Sequence, residues 1–388
     1  MYLREFLDLG QQPIANGFLL KEEFPKEIFY NLKCYYDEET HLVSIHQPDK
    51  NLLFHDSYAY KTGLSQTMIH HFKNATTDIK QLKINPRVLE IGSNDGTFIR
   101  NFSPENAACV EPCKNFAEIT NNYRTYNSFW NKETVEKILL DGYFYDVVFA
   151  ANCISHIPNP YETFRNVYNV LKSDGLFIIE DPSLLHTLNN VSYDQIYDEH
   201  AYLFSTISLE HIAKNTGFTL VGVKHLSVHG GTNRYIFKKT HATIQLINGY
   251  TPTQYILEIE KQFKLDCFET YEIFANKVEK SKSNLINKLI TYGDRRIICY
   301  GATAKSTIVF NYCGIGPETI DFIVDTTISK QDKYSPGKHI PVINPIEWDR
   351  KDSDVVFLGA WNYQNEIISK ESFKPTWITH VPIVRVIS

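Results

Sequence analysis

Residues 87–100 read RVLEIGSNDGTFIR. The run from Arg87 to Ile91 predicts a short buried β-strand, and the polar turn Gly92-Ser93-Asn94-Asp95-Gly96 follows at once. A strand that ends in such a turn and feeds a helix points backbone N–H groups outward. Glycine then lets a ligand approach them, because it has no Cβ. Two acids accompany the turn. Glu90 closes the strand, and Glu111, in ACVEPCKN, follows the next strand. An acid about 20 residues beyond the first turn accepts ribose hydroxyls in dinucleotide-binding folds, so Glu111 suits an adenosyl group.

The spacing fits neither G-x-G-x-x-G nor the G-x-x-x-x-G-K-[ST] phosphate loop. E-x-G-x-x-x-G followed by an acid instead resembles the S-adenosylmethionine site of class I methyltransferases. On that resemblance Glu90, Gly92, Asn94, Asp95, Gly96 and Glu111 are candidate cofactor contacts, joined by Asn152 at the end of a later strand. An ordinary strand-to-helix turn would look much the same.

At 388 residues the chain is long enough for two or three domains. Its 43% hydrophobic and 22% charged residues are ordinary for a globular protein. No apolar run is long enough for a membrane span, and MYLREFLDLG has no apolar signal core, which predicts a cytoplasmic protein. The net charge of −6 argues against nucleic acid as a partner, though a local basic pocket for a small phosphate ligand is compatible with it. The seven cysteines are scattered and form no C-x-x-C pair, which suits buried free thiols in a reducing compartment better than a disulfide framework.

Three regions are expected. Residues 1–75 have short apolar segments and many turns, as an irregular or partly β lobe would. Residues 76–245 alternate strand and helix, giving an α/β doubly wound, Rossmann-like sheet with ligands at the strand carboxyl ends. Its strands are Arg87–Ile91, Asp146–Asn152, Leu176–Pro182, Phe218–Val223 and Arg234–Phe237. Its helix PYETFRNVYNVLKSDG carries Leu171 on the apolar face and stops at Gly175. Residues 246–388 open with a long helical stretch, Thr251 to Tyr292, and then resume the βαβ pattern as a second Rossmann-like domain.

Several clusters carry chemistry. Tyr197-Asp198-Glu199-His200, continuing to Tyr202, gathers phenols, carboxylates and an imidazole. A carboxylate beside a histidine favours its protonated form and fixes its orientation, as a general base near neutrality requires; a hydrogen-bonded surface loop is the other reading. His156, in ANCISHIPNP, can face a developing oxyanion or cap a helix. In HGGTNR, from His229 through Gly230 to Arg234, the arginine can take a phosphate or carboxylate in a bidentate pair, or end a hairpin. Tyr58 and Tyr60 can close over a substrate or pack. The turn from Gly301 through Lys305 and Ser306 presents amides and a lysine, and Asp325 ends a strand, where it can bind a ribose or sugar hydroxyl or simply form the strand-end turn.

Together these stretches resemble the nucleotide-sugar C-methyltransferases, which build branched deoxysugars such as mycarose and tetronitrose. FLDLGQQPIANGFL, YAYKTGLS, VLEIGSNDGTFI, ANCISHIPN, IEDPSL, DQIYDEHAYLFS, VHGGTNRY, YGATAKSTIVFNYCGIGP, DTTISKQ and SPGKHIPV carry the resemblance nearly end to end. It implies an N-terminal substrate lobe, a central S-adenosylmethionine domain, a C-terminal Rossmann-like domain and a dTDP-4-keto-deoxysugar methylated at C3. It implies His200 as the base at C3, Tyr197 and Glu199 orienting either that base or the sugar, and His156 at the enolate oxygen. Tyr60 and Tyr58 would contact the substrate. Tyr202, His229, Gly230, Arg234, Lys305, Ser306 and Asp325 complete the expected substrate contacts. One departure concerns the N-terminal zinc module usual in this family. Cys34 with His41 downstream is all that remains near its second cysteine pair, too few for a four-ligand site, so no zinc is expected. Three rivals stay open: a sugar O- or N-methyltransferase on the same fold, an NAD-dependent sugar oxidoreductase using the C-terminal domain, and a non-catalytic nucleotide-sugar binding protein.

Overall fold

The structure, a computed structural model, describes residues 2–387 except 56, 57, 59 and 241–246. Their strands form three sheets.

The stretch VLEI becomes the strand Val88–Ile91, buried at all four positions because the parallel sheet is covered on both faces. Counted along the chain from that strand, the seven strands of the central sheet lie in the order 3-2-1-4-5-7-6. Val88–Ile91 has parallel neighbours on both sides, Ala107–Val110 and Tyr145–Ala151. Thr232–Lys239 runs antiparallel to both of its neighbours, Leu171–Pro182 and Phe218–Leu226. The order reverses between Val88–Ile91 and Tyr145–Ala151. Gly92 and Asn152 therefore stand at the carboxyl ends of the two strands flanking the switch point, where a ligand crevice opens.

The helix Gln66–Leu82 buries Met68, Phe72, Ala75 and Ile79 along one stripe, and Ser65 caps it by accepting from Met68 N. It runs across residue 75, so the expected edge of the N-terminal lobe falls inside a helix. The edge expected at 245 lies outside the described residues.

Two sequence expectations give way to tertiary pairing. The helix Pro160–Val170 stops before Leu171, which is already extended and pairs with Tyr145 as the first residue of the strand Leu171–Pro182. The stretch from Thr251 to Tyr292 splits into helices Thr253–Gln262 and Phe268–Ile290, with Lys264 between them at φ +61°. Glu260 on the first of these accepts from Thr206 N at 2.8 Å and Ile207 N at 2.9 Å, so it serves the free amides of the helix Thr206–Lys214.

The N-terminal sheet is antiparallel: Leu3–Pro13, Phe29–Asp37, Val43–Ile45 and then Tyr202–Leu203, borrowed from far along the chain. The C-terminal sheet, counted from Ile297–Tyr300, has the order 3-2-1-4-5-6, parallel until the last strand, Arg385–Ile387. The helix Phe268–Ile290 joins these outer regions. Its Tyr271, Phe274, Val278, Leu285 and Leu289 share one hydrophobic core with Leu7 and Leu32 on one side and Ile308 and Phe310 on the other. Among the described residues, no helix is long and apolar enough to cross a membrane.

Candidate active site

Where the three sheets meet, a cavity of about 250 Å³ opens at the carboxyl ends of the central strands. The central sheet supplies one wall. Gly92 sits at φ +73°, and a Cβ there would come within 2.6 Å of Cys153 Sγ, so the close turn needs glycine. Glu111 is held by two backbone amides, accepting from Asn94 N at 2.7 Å and Cys113 N at 2.9 Å. Glu111 also lines the cavity. Burial pushes the Glu111 carboxyl up, and pushes Glu90 well up, with Glu111 and then Asp95 adding to the effect. Glu90 Oε2 is enclosed and has no hydrogen-bond partner. Asn94 and Asn152, at φ +49° and +48°, also line this wall.

Asp95 and Gly96 do other work. Asp95 accepts from Gly63 N at 2.8 Å and from Thr97 Oγ1 at 2.5 Å, while Asn94 Nδ2 donates to Tyr60 O at 3.0 Å. The turn thus ties down residues 60–63 with side chains expected to touch the cofactor. Gly96, at φ +77°, lies against Thr120, outside the cavity lining.

Opposite stands a stack of rings. Phe54 and His156 lie 5.5 Å apart, His156 and His200 5.1 Å, and His200 and Tyr197 4.1 Å. His200 Nδ1 is 2.6 Å from the Gln195 carbonyl, so that nitrogen carries the proton and Nε2 keeps a free lone pair. Burial holds the imidazole well below its ordinary value, and the neighbouring His156 adds to this. His156 is taken down to about 3 by burial, and its Nε2 is enclosed without a partner.

The first of the two roles expected of Glu199, orienting His200, is corrected here. Glu199 accepts from Asn16 Nδ2 at 2.6 Å and Tyr58 OH at 2.8 Å, and a backbone carbonyl orients the histidine. Nor is the protonated ring favoured, because burial, with His156 adding to it, outweighs the hydrogen bond to the Gln195 carbonyl. Gln47 staples the segment by donating to the carbonyls of Asp198 and Glu199 at 3.1 Å each.

Tyr60, His229 and Lys305 complete the cavity together with residues the sequence reading missed: Asn16, Gln195, Lys330 and Tyr363. Lys305 makes no side-chain hydrogen bond or ion pair among the described residues. Burial lowers its pKa against the pull of Asp194 and Glu199. Lys330 donates to Ala302 O at 2.7 Å. His229, at φ +51°, has an enclosed and unpartnered Nε2.

Five expected substrate contacts are committed elsewhere. Arg234 is 2% exposed and lies in the sheet, with Nε 2.6 Å from Glu180 and Nη1 2.7 Å from Asp78, and it does not line the cavity. Ser306 is the N3 residue of a capping box with Thr303 at the start of the helix Ala304–Cys313. Asp325 accepts from Ala302 N and Thr327 N, both at 2.7 Å, and shapes its own loop. Tyr202 belongs to the N-terminal sheet, and its hydroxyl accepts from Asn159 N at 3.3 Å. Gly230 lies under Trp361, whose indole would collide with a Cβ. Cys34 is buried in its strand, and His41 Nδ1 is bonded to the Tyr36 hydroxyl. No group of three or more His, Cys, Asp or Glu among the described residues is placed to hold a metal ion.

S-adenosylmethionine carries a sulfonium and an ammonium group. The enclosed acids Glu90 and Glu111, with no basic side chain among the groups that shift them, fit such a cationic ligand, and the free Glu90 Oε2 is an acceptor without a donor. The strand order and this turn define a class I S-adenosylmethionine-dependent methyltransferase. A family model described as a methyltransferase domain matches residues 64–223, and one described as a C-methyltransferase C-terminal domain matches residues 227–382. The chain is 28% identical over 384 residues to the C-methyltransferase NovU of Streptomyces niveus, covering 95% of this chain and 89% of that protein. Solved structures similar to part of it include a Thermotoga maritima methyltransferase described as a possible histamine N-methyltransferase. That match has 19% identity, a TM-score of 0.34, and covers 44% of this chain and 92% of that one. Another is the CcbJ methyltransferase of Streptomyces caelestis, with 13% identity, a TM-score of 0.33, and coverage of 43% and 89%. The protein is a C-methyltransferase similar to NovU.

Proposed function

We propose that this enzyme methylates C3 of a nucleotide-linked 4-keto-deoxysugar, most simply a dTDP sugar, by removing the C3 proton with His200. The observation that carries the proposal is the 2.6 Å contact between His200 Nδ1 and the Gln195 carbonyl. It leaves Nε2 unprotonated in the cavity that also contains the cofactor turn.

A carbon next to a ketone is acidic enough for such a base once hydrogen bonds meet the developing enolate oxygen. His156 Nε2, enclosed and unpartnered, is the group to serve that oxygen. S-adenosylmethionine, when bound, supplies an electrophilic methyl group. Glu111 and the Gly92 turn hold the donor side, while Tyr58, Glu199 and Tyr197 shape the acceptor side, so the remaining rate comes from positioning.

The test is incubation with a dTDP-4-keto-6-deoxysugar in deuterated water without methyl donor. Deuterium should enter at C3, and a new C–CH₃ product should form once donor is added. A sugar that gains methyl on oxygen or nitrogen without exchange at C3 would overturn the proposal.

The depressed pKa of His200 sets the pH response. The ring stays neutral as pH falls through 6.5, the ordinary histidine value, so the acid limb of the kcat/KM profile should lie below that pH. An acid limb at 6.5 or higher would contradict a desolvated base.

Lys305, a cation in the cavity lining, is our candidate for the diphosphate. Lys305→Ala should raise KM for the nucleotide sugar about tenfold, the loss of one charge-assisted hydrogen bond, with little change in kcat. An unchanged KM assigns the diphosphate to other groups.

A further inference from the structure

The short turn Tyr193–Gln195 ends in the carbonyl that holds His200, and what fixes that turn lies in the C-terminal domain. Asp194 is fully buried. Its Oδ2 accepts from the Trp361 indole N–H at 2.6 Å and lies 3.4 Å from His380 Nε2, also fully buried. On the preceding residue, the Tyr193 hydroxyl is 3.6 Å from Cys313 Sγ, and its ring packs edge-on against Tyr312 and His380. Four residues of the C-terminal domain therefore grip two consecutive residues of the turn. The third residue, Gln195, holds the imidazole. Asp194, Trp361 and His380 do not line the cavity.

We infer that Trp361 and Asp194 are positioning residues through which the C-terminal domain sets the tautomer and aim of His200. The inference rests on His200 being the base. A buried carboxylate with an indole N–H on one side and an imidazole beside it has one low-energy placement, because its charge has no water to turn to. Its backbone, and with it the next carbonyl, is placed as well. If that carbonyl drifts, Nδ1 loses its partner, the ring is free to rotate or exchange tautomers, and Nε2 no longer addresses C3.

The experiment compares Trp361→Phe, which keeps the ring packing and deletes the indole N–H, with the wild-type enzyme in full-length form. Three readouts are needed: C3 deuterium exchange without methyl donor, steady-state methyl transfer, and the His200 tautomer seen by heteronuclear NMR of histidine-labelled protein. Exchange and kcat should fall together by about 10- to 100-fold, the cost of a small misplacement of a reacting group. KM and S-adenosylhomocysteine affinity should stay near wild type, and the Nδ1–H tautomer should lose its dominance. Asp194→Asn, which retains an oxygen for the indole, should lose less than Asp194→Ala.

Unchanged exchange and an unchanged tautomer in Trp361→Phe would overturn the inference, as would a loss confined to KM. A wild-type enzyme without C3 exchange would instead remove the base assignment itself. The NMR readout needs no turnover, so a weakly active variant still decides the question.

Discussion

His200→Ala is expected to lower the rate of methyl transfer by about 10²–10⁴-fold, the usual worth of a positioned general base. It should abolish C3 deuterium exchange while S-adenosylhomocysteine binds as before. The reasoning is local. The imidazole is buried between His156 and Tyr197, and burial keeps it neutral. A backbone carbonyl holds its Nδ1–H, and Nε2 has the cavity before it. Alanine removes the proton acceptor without touching Glu90, Gly92 or Glu111, so the donor side stays whole. His200→Gln fills more of the space and should be equally slow at exchange, which separates lost basicity from lost packing. Full exchange in either variant would move the base elsewhere, and enclosed His156 would be the next residue to test.

The second large effect concerns stability. Arg234→Met should cost on the order of 3–5 kcal/mol, read by denaturant unfolding, because it leaves Glu180 as a buried charge without its main partner. Burial alone would raise the Glu180 carboxyl; Arg234 and then His71, at 2.6 Å, outweigh it and bring it down to about 2. A carboxyl depressed on folding contributes stability that is present above its unfolded value, near 4.5, and is lost as pH falls toward 2. Wild-type stability should therefore drop through that window, and the variant, already short of that contribution, should show a shallower drop. A variant that unfolds like wild type but binds the nucleotide sugar poorly would restore Arg234 to the substrate site.

The contrast between these two residues shows what the chain discloses on its own. The glycine turn and the Tyr197–His200 cluster are legible because their chemistry is packed into a few neighbouring residues. The alternation of strand and helix follows once the apolar runs are assigned. Arg234 looked like a phosphate ligand because arginine beside a glycine pair has that meaning locally. Its partners Glu180 and Asp78 lie 54 and 156 residues away, and no local pattern announces them. The same holds for Ser306 and Asp325, whose loops consume them, and for Glu199, which answers to Asn16 across 183 residues. Gln47 carries no motif at all, and Lys330 sits in the stretch DTTISKQ without a role that its neighbours announce. Their roles come from the meeting of three sheets, a fact of tertiary packing. The break at Leu171 has a similar origin: its helical periodicity continued, but an edge at Tyr145 was available to pair with it.

The borrowing of Tyr202–Leu203 by the N-terminal sheet has a practical corollary. Tyr202 follows Gln195 by seven positions, so the base-bearing segment is stitched at one end to the back of the molecule and at the other to its front. Shuffling modules between homologues to change acceptor preference would tear that seam if the cut followed the apparent lobe borders. A productive hybrid would have to inherit the front sheet, its borrowed strand and the matching rear clamp from one parent, leaving the methyl-donor half as the only freely exchangeable part.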